Sequence, residues 1–124
     1  MTFSTVEQAI EDIRAGRFVI VADDEDRENE GDLICAAQLV TPEMVNFMIR
    51  KAGGLICVAL TSDRVDQLGL TPMSETNVDD YRTAYTVSID ASPRFGVTTG
   101  ISAQDRPTTI RVAVDPATVP GDLR

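Results

Sequence analysis

The sequence predicts an α/β domain of α+β character, a mixed sheet packed with helices, with residues 1–124 forming one unit. Three observations lead there. Apolar runs rich in β-formers alternate with segments of helical period; 43% of the 124 residues are apolar, enough for one core; and no repeat, linker or low-complexity stretch divides the chain.

Element by element, Val6, Ala9, Ile10 and Ile13 recur at helical spacing behind Ser4 and Thr5, with Gly16 as the stop. "RFVIVA" (17–22) and "LICAAQ" (33–38) read as buried strands flanking a polar connection. Thr41-Pro42-Glu43 is a helix start: a capping hydroxyl, proline in the first turn and an acid near the positive end of the macrodipole. Met44, Val45, Met48, Ile49 and Ala52 give that helix an apolar face, Phe47 joins its core, and Gly53-Gly54 end it. "LICVALT" (55–61) reads as a third buried strand, followed by a short helix capped at Thr61 or Ser62 and running to Leu68. Residues 69–82 carry turn residues without period, and "TAYTVSIDA" (83–91) alternates as a strand. "VTTGIS" (97–102) forms a short strand entering a glycine turn. The stretch after it is helical with Pro107 in the opening turn, and the tail "DPATVPGDLR" looks unfinished.

Eleven basic against twenty acidic residues give a net charge of -9. That balance argues against non-specific nucleic-acid or anionic-membrane binding, and favours cations or a cation-bridged anion. No apolar run approaches the ~18 residues of a membrane span, and no basic region precedes an apolar one at the amino terminus. Cys35 and Cys57 lie in apolar runs and read as reduced core thiols, so the expected location is cytoplasmic. The chain contains no histidine, which removes imidazole as a base or metal ligand from its own chemistry.

The unusual stretch is "DDEDRENEGD", residues 23–32, where seven carboxylates surround one arginine. Such repulsion needs compensation, and Mg²⁺ or Mn²⁺ would give it, since both prefer oxygen ligands. A solvated charged loop is the competing reading. An EF-hand is excluded: aligned from Asp26 it places Glu28, Glu30 and Gly31 suitably, but its twelfth position is Ala37 rather than a bidentate acid. Arg27 can pair with the carboxylates or hold a phosphate or hydroxyl group. A second constellation, "TTGISAQDR" (98–106), offers hydroxyls and free backbone N–H groups for an anion, or is simply a capped turn.

"DDEDRENEGDLI" resembles the signature of the 3,4-dihydroxy-2-butanone 4-phosphate synthase family, and "GGLICVALT", "LGLTPM", "TAYTVSIDA" and "TTGISAQDRPTTIR" resemble successive family segments in the right order. The resemblance implies the family's α/β sandwich. It also implies conversion of D-ribulose 5-phosphate to L-3,4-dihydroxybutan-2-one 4-phosphate and formate with Mg²⁺ or Mn²⁺, in a homodimer with sites at the subunit interface. Carried over position by position, it makes Glu28 a metal ligand, Arg27 and Glu28 substrate contacts, and Asp32 a substrate contact that moves protons. Glu30 becomes an acid/base group, and Cys57 and Thr99 line the pocket.

In that family the sequence continues past the equivalent of "GDLR" into histidine-containing segments that complete the metal site. The expectation is therefore an amino-terminal portion with a half-built metal site, weak metal affinity and exposed apolar surface. The alternative is a non-catalytic sugar-phosphate-binding or regulatory fragment of the same fold. Arg82 is a smaller departure, at a position where relatives carry smaller residues.

Overall fold

Capping chemistry sets the helix starts. The computed structural model describes residues 2–124. Helix α1 (Val6–Arg14) begins with a reciprocal cap: the Gln8 N–H donates to Thr5 Oγ1 at 3.2 Å and the Thr5 N–H to Gln8 Oε1 at 3.0 Å. Strands β1 (Val19–Ala22) and β2 (Gly31–Ile34) form an antiparallel hairpin in the register Val19↔Ile34 through Ala22↔Gly31. Helix α2 (Pro42–Phe47) starts on Thr41, whose hydroxyl accepts the Met44 N–H at 3.2 Å, and widens into a π-helical turn over Met48–Ala52. Gly53, at φ +72°, ends it in a conformation that a side chain would resist. Helix α3 (Ser62–Leu68) is capped by Thr61, the first of the two residues expected, and α4 (Asp105–Val114) carries Pro107 within its first turn.

The core gathers around α4. Ala91, Val97 and Val112 pack together with Leu123 against them, while α2 and the short turn Ala37–Leu39 pack on another side of α4 with Val40 and Val45 buried. Two arginines tie remote segments to this helix. Arg111 donates to the Val40 carbonyl at 2.8 Å, and Arg64 reaches from α3 to the carbonyls of Ala113, Asp115 and Thr118 at the carboxy-terminal end of α4.

Mixed helices with a small antiparallel sheet agree with the predicted class, but the sheet is smaller than expected. Among the described residues it has two strands. Residues 55–61, 83–91 and 97–102 form no ladder; they make at most the isolated bridges Pro72↔Thr86 and Ala91↔Leu123. β-Propensity favours an extended backbone, but a strand exists only where a neighbour takes up its N–H and C=O groups.

Burial also departs from expectation. Nothing in α1 is fully buried, Phe47 and Ile49 stand partly exposed, and the hairpin apolar run is open, with Ile20 77% exposed. Leu55, in the predicted third strand, is 82% exposed. The cysteines are free, but Cys57 is exposed and Cys35 only half-buried, so neither is a core thiol. Large apolar side chains stand exposed elsewhere too, among them Phe3, Val78 and Ile101. The tail 115–124 folds back on the chain. Asp90 and Arg124 exchange both backbone hydrogen bonds, at 2.8 and 2.9 Å, and buried Asp122 pairs with Arg94. A turn at Pro120–Asp122 brings Leu123 to its isolated bridge with Ala91.

Candidate active-site hairpin

The acidic stretch is the loop of the β1–β2 hairpin, and one of its own carboxylates organises it. Asp23 receives the Glu30 N–H on Oδ1 at 2.8 Å, and the Glu28 N–H and an Arg27 guanidinium N–H on Oδ2 at 3.0 and 2.9 Å. Asp24 adds an Asx turn by accepting the Asp26 N–H at 2.9 Å, and Asn29 takes the left-handed conformation, φ +53°, that its side chain tolerates. The donated N–H groups of Glu30 and Glu28, followed by the Arg27 guanidinium, hold the Asp23 carboxyl below the usual carboxylate range. The Asp23 hydrogen bond in turn pushes the Arg27 guanidinium up.

The crowding of negative charge thus has an internal remedy. Arg27 lies between Asp23 at 2.9 Å and Glu28 at 3.5 Å and pairs with both. Both pairs are solvent-facing and contribute little stability; their importance is geometric. The loop backbone is fixed so that Arg27, Glu28 and Glu30 project from it, and Asp32 follows on β2, opposite Val21. By the pleat, Asp32 shares a face with Val21 and Ile34, and that face is exposed.

Of the six residues named from sequence, these four come together on one hairpin. Cys57 and Thr99 stand on other segments, and among the described residues no hydrogen bond or ion pair joins them to it. Nor do three or more Cys, Asp or Glu side chains converge into a cluster able to hold a metal ion among the described residues. A Mg²⁺ ion commonly takes one or two carboxylates and keeps water for the rest, so a converged cluster is not what such an ion demands.

The Thr98–Gly100 turn follows the capped-turn reading of its sequence. Two of its N–H groups are already engaged: the Asp105 carboxylate, 6% exposed, accepts the Gly100 N–H at 3.0 Å, the Thr98 hydroxyl at 2.9 Å and the Thr98 N–H at 3.3 Å. Burial works most strongly against ionisation of Asp105, yet those donors together with Ser102 prevail and hold its carboxyl below the ordinary range. The turn is capped from within, and Asp90 lies against Gly100 where a Cβ would stand. Two carboxylates beside the turn suit a hydroxyl group better than a phosphate; Thr99 itself is exposed.

Sequence reasoning also missed the segment 77–83. Asp79 accepts the Thr83 N–H at 2.9 Å and the Tyr81 N–H at 3.0 Å, and Asn77 accepts the Asp79 N–H and donates to the Thr83 carbonyl. Arg82 sits at φ +56° within this turn, a conformation that glycine or asparagine adopts more readily. The turn presents Tyr81 to the acidic loop: its hydroxyl donates to the Arg27 carbonyl at 3.1 Å, and the Arg27 guanidinium stands 5.1 Å from its ring centroid. The Asx spacings Asn77–Asp79 and Asp79–Tyr81 were the available signal. The 54-residue reach to Arg27 was not. A cavity of about 490 Å³ lies apart from the hairpin, between Thr61, Arg64 and Gln67 along α3 and Val114 and Pro116, and its arginine is already engaged by carbonyl groups.

Against known proteins, the family model of 3,4-dihydroxy-2-butanone 4-phosphate synthase matches residues 7–124. The riboflavin biosynthesis protein RibBA of Synechocystis is 59% identical over 121 residues, covering 98% of this chain and 22% of that protein. The RibBA of Aquifex aeolicus is 58% identical, with 98% of this chain and 30% of that protein covered. The chain therefore spans less than a third of these relatives. A crystal structure of 3,4-dihydroxy-2-butanone 4-phosphate synthase in complex with two magnesium ions superposes at a TM-score of 0.94 and 45% identity, covering 98% of this chain and 56% of that one. The synthase of Candida albicans superposes at 0.85 and 45% identity, over 100% of this chain and 59% of that one.

Proposed function

The chain belongs to the 3,4-dihydroxy-2-butanone 4-phosphate synthase family, and from that premise we propose that it forms part of an enzyme of riboflavin biosynthesis, converting D-ribulose 5-phosphate to L-3,4-dihydroxybutan-2-one 4-phosphate and formate. The observation that carries this reading is the hairpin itself, on which Asp23 fixes the backbone that presents Arg27, Glu28, Glu30 and Asp32.

In this proposal Arg27 exchanges one carboxylate partner for a substrate oxygen, which its fork geometry suits. Asp32 and Glu30 take and return protons at the carbons next to the substrate carbonyl, while Glu28 contacts substrate and holds a divalent cation, Mg²⁺ or Mn²⁺. That cation, when bound, supplies positive charge to oxygens that become negative during the reaction. Cys57 and Thr99 complete the pocket, with Thr99 on a hydroxyl group. The hairpin is open to solvent, so the dry surroundings such chemistry favours must come from whatever covers it, and the proposed assembly is a homodimer in the cytoplasm.

The test grafts this chain in place of the matching part of the magnesium-bound relative and follows formate release from D-ribulose 5-phosphate with Mg²⁺. The expected result is formate release that disappears in Glu28→Ala. A folded graft that releases none sinks the proposal. The lack of histidine in the sequence, and of a converged metal cluster among the described residues, favours one second reading, a sugar-phosphate-binding unit without turnover. Under that reading the graft binds D-ribulose 5-phosphate and releases no formate.

A further inference from the structure

We infer that Tyr81 is a positioning residue for the acidic hairpin: it clamps Arg27 from the far side of the loop and so sets the direction in which Arg27 and Glu28 face. Three observations support this. Tyr81 makes two different contacts with one residue, a hydrogen bond from its hydroxyl to the Arg27 carbonyl at 3.1 Å and its ring beneath the guanidinium at 5.1 Å. Both ends of the clamp are built: Asp79 and Asn77 fix the backbone that carries Tyr81, and Asp23 fixes the one that carries Arg27. Finally, Tyr81 is 48% exposed, so its place is not explained by filling a core.

The geometry restricts Arg27 in two ways. Asp23 alone would leave the guanidinium free to swing about its single hydrogen bond. A ring on one side confines it to a plane, in which its remaining N–H groups reach Glu28 or, in exchange, an oxygen of a ligand. The hydroxyl bond acts on the main chain instead. It holds the carbonyl of Arg27, and with it the peptide plane whose N–H belongs to Glu28 and points to Asp23. One tyrosine thus sets the side chain of one proposed substrate contact and the backbone of the next. A phenylalanine would retain the first action and lose the second.

The functional consequence rests on the proposal that Arg27 and Glu28 contact D-ribulose 5-phosphate, and the experiment separates the two ideas. Amide hydrogen exchange and calorimetric binding of D-ribulose 5-phosphate, with and without Mg²⁺, are measured on the chain and on Tyr81→Phe and Tyr81→Ala. Loss of one modest hydrogen bond predicts ~3-fold faster exchange at the Glu28 and Glu30 amides in Tyr81→Phe. Loss of the ring as well predicts ~10-fold or more in Tyr81→Ala. Exchange in α4 stays unchanged in both. Binding weakens in the same order, with Tyr81→Phe close to the parent because the guanidinium remains confined.

Exchange at Glu28 and Glu30 that is unaltered in Tyr81→Ala overturns the inference, whatever the binding result. So does faster exchange spread evenly over the whole chain, which would make Tyr81 an ordinary stabilising residue. If the parent chain binds neither Mg²⁺ nor the sugar phosphate, the functional proposal has failed for this chain; the exchange comparison still decides whether Tyr81 orders the loop.

Discussion

Thr109→Val removes a single acceptor from a buried polar contact. The Ala91 N–H donates to Thr109 Oγ1 at 2.9 Å, Ala91 has no exposed surface and Thr109 is 7% exposed. Valine has nearly the shape of threonine, so little cavity forms; the cost is an N–H left without partner or water, about 1–3 kcal/mol. With unfolding entropy near ~2.1 cal/mol/K per residue, each kcal/mol corresponds to roughly 4 °C in a chain of 124 residues. The variant should therefore melt about 4–12 °C lower. Thr109→Ser retains the acceptor and loses one methyl group, about 0.8 kcal/mol. Thermal and urea unfolding followed by far-ultraviolet circular dichroism measure both. The expected order is parent, serine, valine, with an unchanged urea slope. Valine at or above serine would refute the assignment of this bond as the tie between residues 90–92 and α4.

Acid should weaken the fold in a defined window. The carboxyls of Asp23, Asp79 and Asp105 all lie below the ordinary value of 3.8, for Asp79 chiefly because the Thr83 N–H donates to it. Unfolded carboxyls protonate at 3.8 while the folded ones stay ionised, so this stabilisation is complete above 3.8 and is lost as pH falls through the lower folded values. Urea midpoints taken from neutral pH down to about 2 should show the loss, and Asp105→Asn should flatten part of it; a midpoint that rises in acid contradicts the reasoning. Gly100→Ala should cost about 2 kcal/mol or more, because Gly100 has φ +88° and the new methyl group would run into the Asp90 carboxylate. Gly121→Ala, with open space around it, should stay within about 0.5 kcal/mol of the parent. Equal melting temperatures for the two variants would discount that close approach.

The sequence by itself determined what short-range chemistry decides. Thr5, Thr41 and Thr61 announced the starts of α1, α2 and α3 because a capping hydroxyl needs only the N–H three residues on. The acidic run announced the candidate site because no ordinary loop gathers so many carboxylates, and its order among the other motifs marked the family. The tertiary structure decided everything that needs a distant partner. Apolar runs at 17–22 and 55–61 have the composition of buried strands, yet burial depends on what packs against them, and here Ile20 and Leu55 stay open. The turn at 98–100 has free N–H groups on paper, and Asp105 takes them once α4 begins beside it. Arg27 has many acidic neighbours in sequence; folding chooses Asp23 and Glu28, and brings Tyr81 from 54 residues away. Hydrogen bonds and rings act over a few ångströms, so contacts between neighbours in the chain are written in the sequence, whereas contacts across it exist only after the chain has closed.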